Sequence, residues 1–317
     1  MQRYLIRRLI QMVPVFIGIT FITFLMISLA PGDPVMSLYP PEVLDRVDLD
    51  LLRDQLGLND PLPVQYAQMM GRFLTGDLDS FQERRPAMDL IFDRLFPTLM
   101  FATLATFLAL LIGLPVAIIS ALRPYSWFDN VSTVSVLTGL SLPQFWFALL
   151  LILFFSERLR LLPSSGIRPI DATSYNPVEM LPYLIMPTLV LSLGLLPSIM
   201  RYSRSSMIEV LSQDYVRTAH SKGLSNRRVL LQHALRNAIL PVVTLIGAIF
   251  PLLLGGAAVV ETIFGIPGIG RLAVRSAQVR DLPVILSLNI FAAVLILLSN
   301  LLTDIFYTYL DPRIRLG

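Results

Sequence analysis

Long apolar runs separated by polar segments set the pattern of the chain. Six runs, at about 9–30, 98–122, 132–156, 181–200, 238–260 and 283–309, approach or exceed the roughly 20 residues that cross a hydrocarbon layer about 30 Å thick. None carries a charge near its middle; the acid deepest in any of them, Asp304, is close to the end of the last. A lipid interior offers the backbone no hydrogen-bond partner, so these runs are expected to be helices. Pro14, Pro115, Pro143, Pro187, Pro197, Pro241 and Pro251 fall in or near them. Two readings stand for these prolines: ordinary kinks whose freed carbonyls neighbouring groups re-satisfy, or hinges in a moving bundle.

The polar segments differ in length. The longest, 31–97, has helical signals of its own: Leu44, Val47, Leu51, Leu52 and Leu56 recur at helical spacing, and Gly57 is placed to stop that helix. A second short helix is expected from Val64 to Leu74, which makes the segment a small folded cap. The expected division is therefore a first membrane helix at 1–30, a cap at 31–97, a five-helix core at 98–309 and a tail at 310–317. Residues 261–282, with the turn-forming "FGIPGIG", read as a partly re-entrant loop.

Composition agrees with a membrane class: 55% of the 317 residues are hydrophobic and 15% charged. The net charge of +3 does not point to nucleic acid, because the basic residues flank apolar spans, where they set orientation. With the N-terminus inside, 13 of the 25 Lys and Arg lie on the inner side and 12 on the outer. Six of those 12 sit in the 31–97 segment, which exceeds the loop length of about 60 residues over which the charge rule acts, and leaving it aside favours both termini inside. Arg3, Arg7 and Arg8 precede a run too long for a signal peptide, so the first helix is expected to be retained.

Missing chemistry narrows the function. There is no cysteine, no HExxH and no GxSxG, and His220 and His233 stand thirteen apart without a carboxylate cluster, so neither a metal site nor an enzyme is expected. An ion-driven transporter would be expected to place ionisable groups within its spans. The single lysine, Lys222, lacks the glycine frame of a phosphate-binding loop, so any free energy for uphill movement must come from another subunit.

Residues 201–237 are the natural receiver. Seven basic side chains against Glu209 and Asp214 keep the segment out of the lipid. Tyr215, Ala219 and Leu224, then Val229, Leu230, Ala234, Leu235 and Ala238, give it an apolar face at helix-like steps. Gly223 interrupts that pattern and suits the end of one short helix before the next. These residues alone leave open a lever between two spans and an amphipathic helix drawn by its arginines to anionic lipid.

"DYVRTAHSKGL" followed by "ALRNAILPVV" resembles the signature loop of ABC importer permeases, in particular the dipeptide, oligopeptide and nickel branch. Arg217, Thr218 and Ala219 stand at that loop's triplet, Gly223 at its glycine, and Ile239, Leu240 and Pro241 at its close. Pro31, Gly32, Asp33 and Pro34 after the first helix, the stretch from "LRDQLGLNDP" to Gly76, Asp77 and Leu78, "VVETIFGIPGIGRL" and the terminal "LDPRIR" are similar to the same family, with Asp79 departing from its usual glycine. The resemblance implies an all-α permease of type I fold with six membrane helices, the first of two homologous permease subunits. It also implies two ABC ATPases that bind ATP and magnesium, a binding protein outside the membrane, and no cofactor in this chain. Within it, Tyr215, Arg217, Thr218, Ala219, Lys222, Gly223 and Leu224 are expected to couple to the ATPases. Glu261, Phe264, Pro267 and Gly268 are expected to form an outer gate or binding-protein contact, the alternative being a plain connector. Phe145 and Trp146 are candidates for lining the pathway, the alternative being packing. A bacterial or archaeal inner membrane is the implied location. The rival class is a membrane-embedded scaffold without transport.

Overall fold

A computed structural model describes the backbone of residues 2–29, 35–38, 48–55, 57–169 and 176–310, and their side chains except at 2–9, 140, 177, 248–256, 300 and 302–310. The expected Pro-Gly-Asp-Pro turn, Leu44, Val47 and Leu56, the terminal "DPRIR" and the Asp304 side chain lie outside these. Among the described residues the chain is helical, without named strands, and its elements fall into two compact units. One comprises the described residues of Met1–Thr98 and Pro267–Leu298; the other comprises those of Leu99–Ile266 and Ser299–Arg315. The boundary at Thr98 falls within one residue of the expected end of the cap segment, and the first helix and the cap segment share one unit.

In the first unit, α1 (Gln2–Ser28) carries Pro14 within it and is followed by α2 (Leu49–Gln55) and α3 (Leu62–Thr75). The second of these is the helix expected at Val64–Leu74, started by the Pro61 and Pro63 that flank Leu62. Gly57 follows α2 with φ +69°, the left-handed conformation of a helix stop. Phe24, Leu78, Leu286 and Ile290 form the buried core, against which Tyr66 and Phe73 of α3 pack. The Tyr66 ring meets Phe21 edge-on at 5.3 Å, and its hydroxyl lies 2.8 Å from Thr20 Oγ, so the cap helix is fastened to α1 by both packing and a hydrogen bond.

Helix α4 (Ala87–Leu122) is one continuous element despite Pro97 and Pro115. The third apolar run departs from expectation: it is not one span helix but α5 (Trp127–Ser141) and α6 (Gln144–Leu151), bent by 91°, with α6 running on as a π-helical turn over Ile152–Arg158. Proline explains the break. Pro143 has no N–H to continue α5 and pushes Leu142 out of the helical region, to φ −79° and ψ 124°. Helix α7 (Pro177–Leu211) holds Pro182, Pro187 and Pro197 without breaking. Among the described residues, five helices are long and apolar enough to cross a membrane, and a sixth crossing results if the bent α5–α6 pair counts as one. The core of the second unit joins Phe101, Ala105 and Ala109 of α4, Met186, Val190 and Ile199 of α7 and Ala257 and Val260.

Beyond α7 come α8 (Asp214–Ser221), the single turn α9 (Asn226–Arg228), a π segment (Val229–Ala234), α10 (Leu235–Ala238) and α11 (Leu240–Ile263). The stretch expected to be a partly re-entrant loop contains a ten-residue amphipathic helix, α12 (Ile269–Gln278), with Ile269, Gly270, Leu272 and Ser276 buried. Helix α13 (Leu282–Leu310) closes the described chain.

Candidate functional site

The basic segment folds as two short helices joined at a glycine. Asp214 opens α8 with a negative charge where the helix dipole favours one, and Lys222 follows its last turn. Gly223 has φ +77°, so the sharp exit to Leu224 uses a backbone conformation that L side chains resist. A Cβ built there would touch nothing within 4 Å: the requirement for glycine comes from the backbone and not from crowding.

The apolar face differs by one residue from the expected one. Val216 and Ala219 are buried against Val229, with Val210 of α7 and Leu224 packed beside them, whereas Tyr215 is exposed. Asn237 Nδ2 donates to the Tyr215 hydroxyl at 2.9 Å, which ties the margin of α8 to α10. Val216 is the residue the sequence pattern passed over; its i, i+3 spacing to Ala219 was the available signal. Arg217, Thr218, Lys222, Arg227 and Arg228 remain exposed, so α8 and α9 present a basic outer surface on an apolar mounting. That mounting continues inward: Met207, Ala234, Ala238 and Ala121 form a second buried cluster with Ile118, Leu211 and Leu230 around it. The two clusters together join α8 to the ends of both α4 and α7.

Residues around the α11–α12 turn are placed differently from one another. Glu261 is fully buried and Phe264 nearly so, while Pro267 is half-buried and Gly268 buried. The Phe264 carbonyl accepts from Gly166 N–H at 2.8 Å and the Glu261 carbonyl from Ile266 N–H at 2.8 Å, so this turn is held from within. In this conformation Glu261 and Phe264 cannot form a surface contact. Phe145 and Trp146 are about half exposed; it is Phe147 that packs into the core. Close by, Gly139, Leu142, Pro143, Gln144, Leu193 and Gly194 line a cavity of about 270 Å³ at the α5–α6 break.

Two polar clusters had no counterpart in the sequence reading. Asp129, 3% exposed, takes both prongs of Arg204 at 2.7 Å and the Tyr125 N–H at 2.8 Å. A cue existed in "SWFD", where Ser126 caps α5 and the acid stands three residues on. Asp281, also buried, accepts from Ser80 Oγ at 2.5 Å and from the Phe81 and Gln82 N–H groups at 3.1 and 3.3 Å. Two hundred residues of separation hide that pairing from any sequence pattern.

Comparison with known proteins decides the family. Residues 113–316 match the model of the binding-protein-dependent transport system inner membrane component, and residues 1–102 match that of its N-terminal region. The chain belongs to this family of permeases. The permease is 41% identical over 317 residues to the oligopeptide transport system permease protein AppB of Bacillus subtilis, covering 99% of this chain and 100% of that protein. It is 38% identical over 333 residues to the dipeptide transport system permease protein DppB of Alkalihalophilus pseudofirmus, covering 99% of the permease and all of that protein. Its fold is like that of a chain of the MetNI methionine ABC transporter in inward-facing form, with a TM-score of 0.53 at 18% identity over 71% of the permease and 98% of that chain. The permease is thus a multi-pass membrane subunit of a system that includes ATPase and substrate-binding components. The relatives are transport permeases, and nothing among them supports a scaffold without transport.

Proposed function

We propose that this permease forms half of the translocation path of an ATP-driven importer of peptides or related small solutes. The reading pairs it with a homologous second permease and two ATPases, which bind the ATP and magnesium. A binding protein on the outer side delivers the substrate, and both termini lie in the cytoplasm of a bacterium or archaeon. The observation that carries it is the mounting of α8: an exposed basic face with Arg217, Thr218 and Lys222, an apolar underside seated on Val210 and Val229, and a left-handed Gly223 at the exit. Closure of the ATPases pushes on that face, and the shared cluster of Met207, Ala234 and Ala121 passes the displacement to α4 and α7. Peptides are the substrate class because relatives matched over their whole length carry oligopeptide and dipeptide transport in their names.

Phe145 and Trp146 line the path in this reading, which their outward placement supports. Glu261 and Phe264 act on the outer side as a gate held from within, with Pro267 and Gly268 carrying the turn into α12. The test is reconstitution. Liposomes holding the permease with its second permease and ATPases should accumulate a peptide identified by mass spectrometry of the purified binding protein, and only with ATP inside. Liposomes holding the permease alone should accumulate none; uptake by the single chain would refute the proposal.

A further inference from the structure

Helix α5 is an apolar helix with a polar anchor. Among its described side chains Asp129 alone is buried, while Val131, Val134 and Leu137 are exposed. That aspartate receives Arg204 Nε on one oxygen and Arg204 Nη2 on the other, both at 2.7 Å, and the Tyr125 N–H at 2.8 Å completes the carboxylate. A two-pronged guanidinium–carboxylate pair fixes orientation as well as distance. Arg204 stands on α7 less than one turn before Met207 and under two turns before Val210, the residue on which the underside of α8 rests. The other ties of α5 are slighter: Ser132 Oγ lies 3.1 Å from Ser120 Oγ of α4, and Gly139 lets Leu193 of α7 approach its backbone closely.

We infer that the Asp129–Arg204 pair is a positioning clamp: it makes α5 travel with the end of α7 when α8 is displaced, so that the α5–α6 break at Leu142–Pro143 takes up the motion. The clamp rests on the importer reading for its purpose. Its geometry does not, since a rigid pairing of α5 with α7 can be measured whatever drives it. An apolar contact would permit the two helices to slide; a fork pair whose carboxylate is buried does not, because any slip leaves the Asp129 charge unpaired inside. The clamp also explains why a break is placed immediately after α5. A helix held firmly at its start needs a flexible joint at its end if the next element is to move separately, and Pro143 supplies that joint.

The permease has no cysteine, so spin labels at exposed Asn130 and Ser205, introduced as N130C and S205C, attach at those two positions and nowhere else in this chain. In the assembled complex with its ATPases, the label separation is expected to be narrow and the same with and without trapped ATP. In the neutral double variant D129N/R204Q, which leaves no unpaired charge, it is expected to broaden on ATP trapping, and ATP consumed per peptide imported should rise at least about fivefold. A fivefold change in an equilibrium corresponds to roughly 1 kcal/mol, within the range of measured couplings between sites. A wild-type separation that shifts with ATP by about one helical turn, ~5 Å, would overturn the clamp, as would a double variant that stays narrow and fully coupled. Should the double variant fail to assemble, R204K keeps the charge and loses the fork, and normal stoichiometry in that variant would overturn it equally. A wild-type complex that shows no ATP-driven uptake yet keeps its narrow separation would refute the importer reading and leave the clamp standing.

Discussion

At the scale of single residues, Gly223 is required by backbone angle and by nothing else. Its φ of +77° costs an L residue about 1–2 kcal/mol, and no neighbour lies within 4 Å to add a clash inside the chain. Three substitutions separate these causes. Gly223→Asn should retain most uptake, since asparagine tolerates the left-handed region. Gly223→Ala should lose part, and Gly223→Val, with a branched side chain ill-suited to positive φ, should uncouple ATP hydrolysis from import while the complex stays assembled. Uptake and hydrolysis measured on the same liposomes check the order Asn, Ala, Val; equal activity in all three would show that the turn tolerates another path. The glycine was legible in the sequence because a break in the apolar pattern, a lysine before it and a new helix after it all mark a stop. The buried partner Val216 was not, because Tyr215 beside it also offers a large apolar surface at a helix-like step from Ala219. Only the fold shows that the tyrosine turns outward to meet Asn237.

At the scale of elements, spacing and punctuation specify the helices with strong local signals, whereas the bend and the short helix that follow proline and glycine are settled only by the fold. The α3 helix, the Gly57 stop and most apolar runs follow from spacing and punctuation. The break between α5 and α6 was foreseeable only in part: seven prolines fell in or near spans, and just this one opens a sharp bend among the described residues. Pro14, Pro187 and Pro197 sit inside continuous helices, so proline alone does not determine the outcome. Helix α12 was missed because its glycines and proline lie at its start and mask a helical pattern that begins at Ile269. Two element-level predictions follow from the ties in the first unit. Tyr66→Phe keeps the ring on Phe21 and Phe24 but removes the hydroxyl beside Thr20; it should cost about 1 kcal/mol and speed proteolysis of α3 without releasing the cap. Asp281→Ala leaves buried Ser80 and the N–H groups of Phe81 and Gln82 without their acceptor, at roughly 1–3 kcal/mol. It should lower the melting temperature more than Tyr66→Phe does, and the reverse order would show that the Asp281 knot is reinforced elsewhere.

At the scale of the whole molecule, the assignment depends on which side of the membrane each polar segment occupies, and the sequence answers that only through its charges. The count is 13 basic residues against 12 until the 31–97 segment is set aside, a margin too narrow to carry a mechanism unaided. The helices supply a stricter argument. An uneven number of crossings between α8 and α12 would put the basic face of α8 and the exposed Arg271 and Arg275 of α12 on opposite sides, and α11 is the one apolar helix between them. The absence of cysteine makes the consequence measurable. Single cysteines at Ser221, on exposed α8, and at Gln278, on exposed α12, should be reached by a membrane-impermeant maleimide from opposite faces of sealed cells. Gln278→Cys should label in intact spheroplasts, and Ser221→Cys only after the membrane is opened or in inverted vesicles. The reverse pattern would place the basic helix outside, away from every ATPase, and the coupling role of α8 would fall with it. Labelling of both from one face would mean that α11 does not cross, leaving five crossings or fewer and no six-helix permease. The predicted pattern, by contrast, places the push on α8 and the turn after Glu261 at the two ends of one helix, the arrangement that lets a stroke made inside the cell reach a gate outside it.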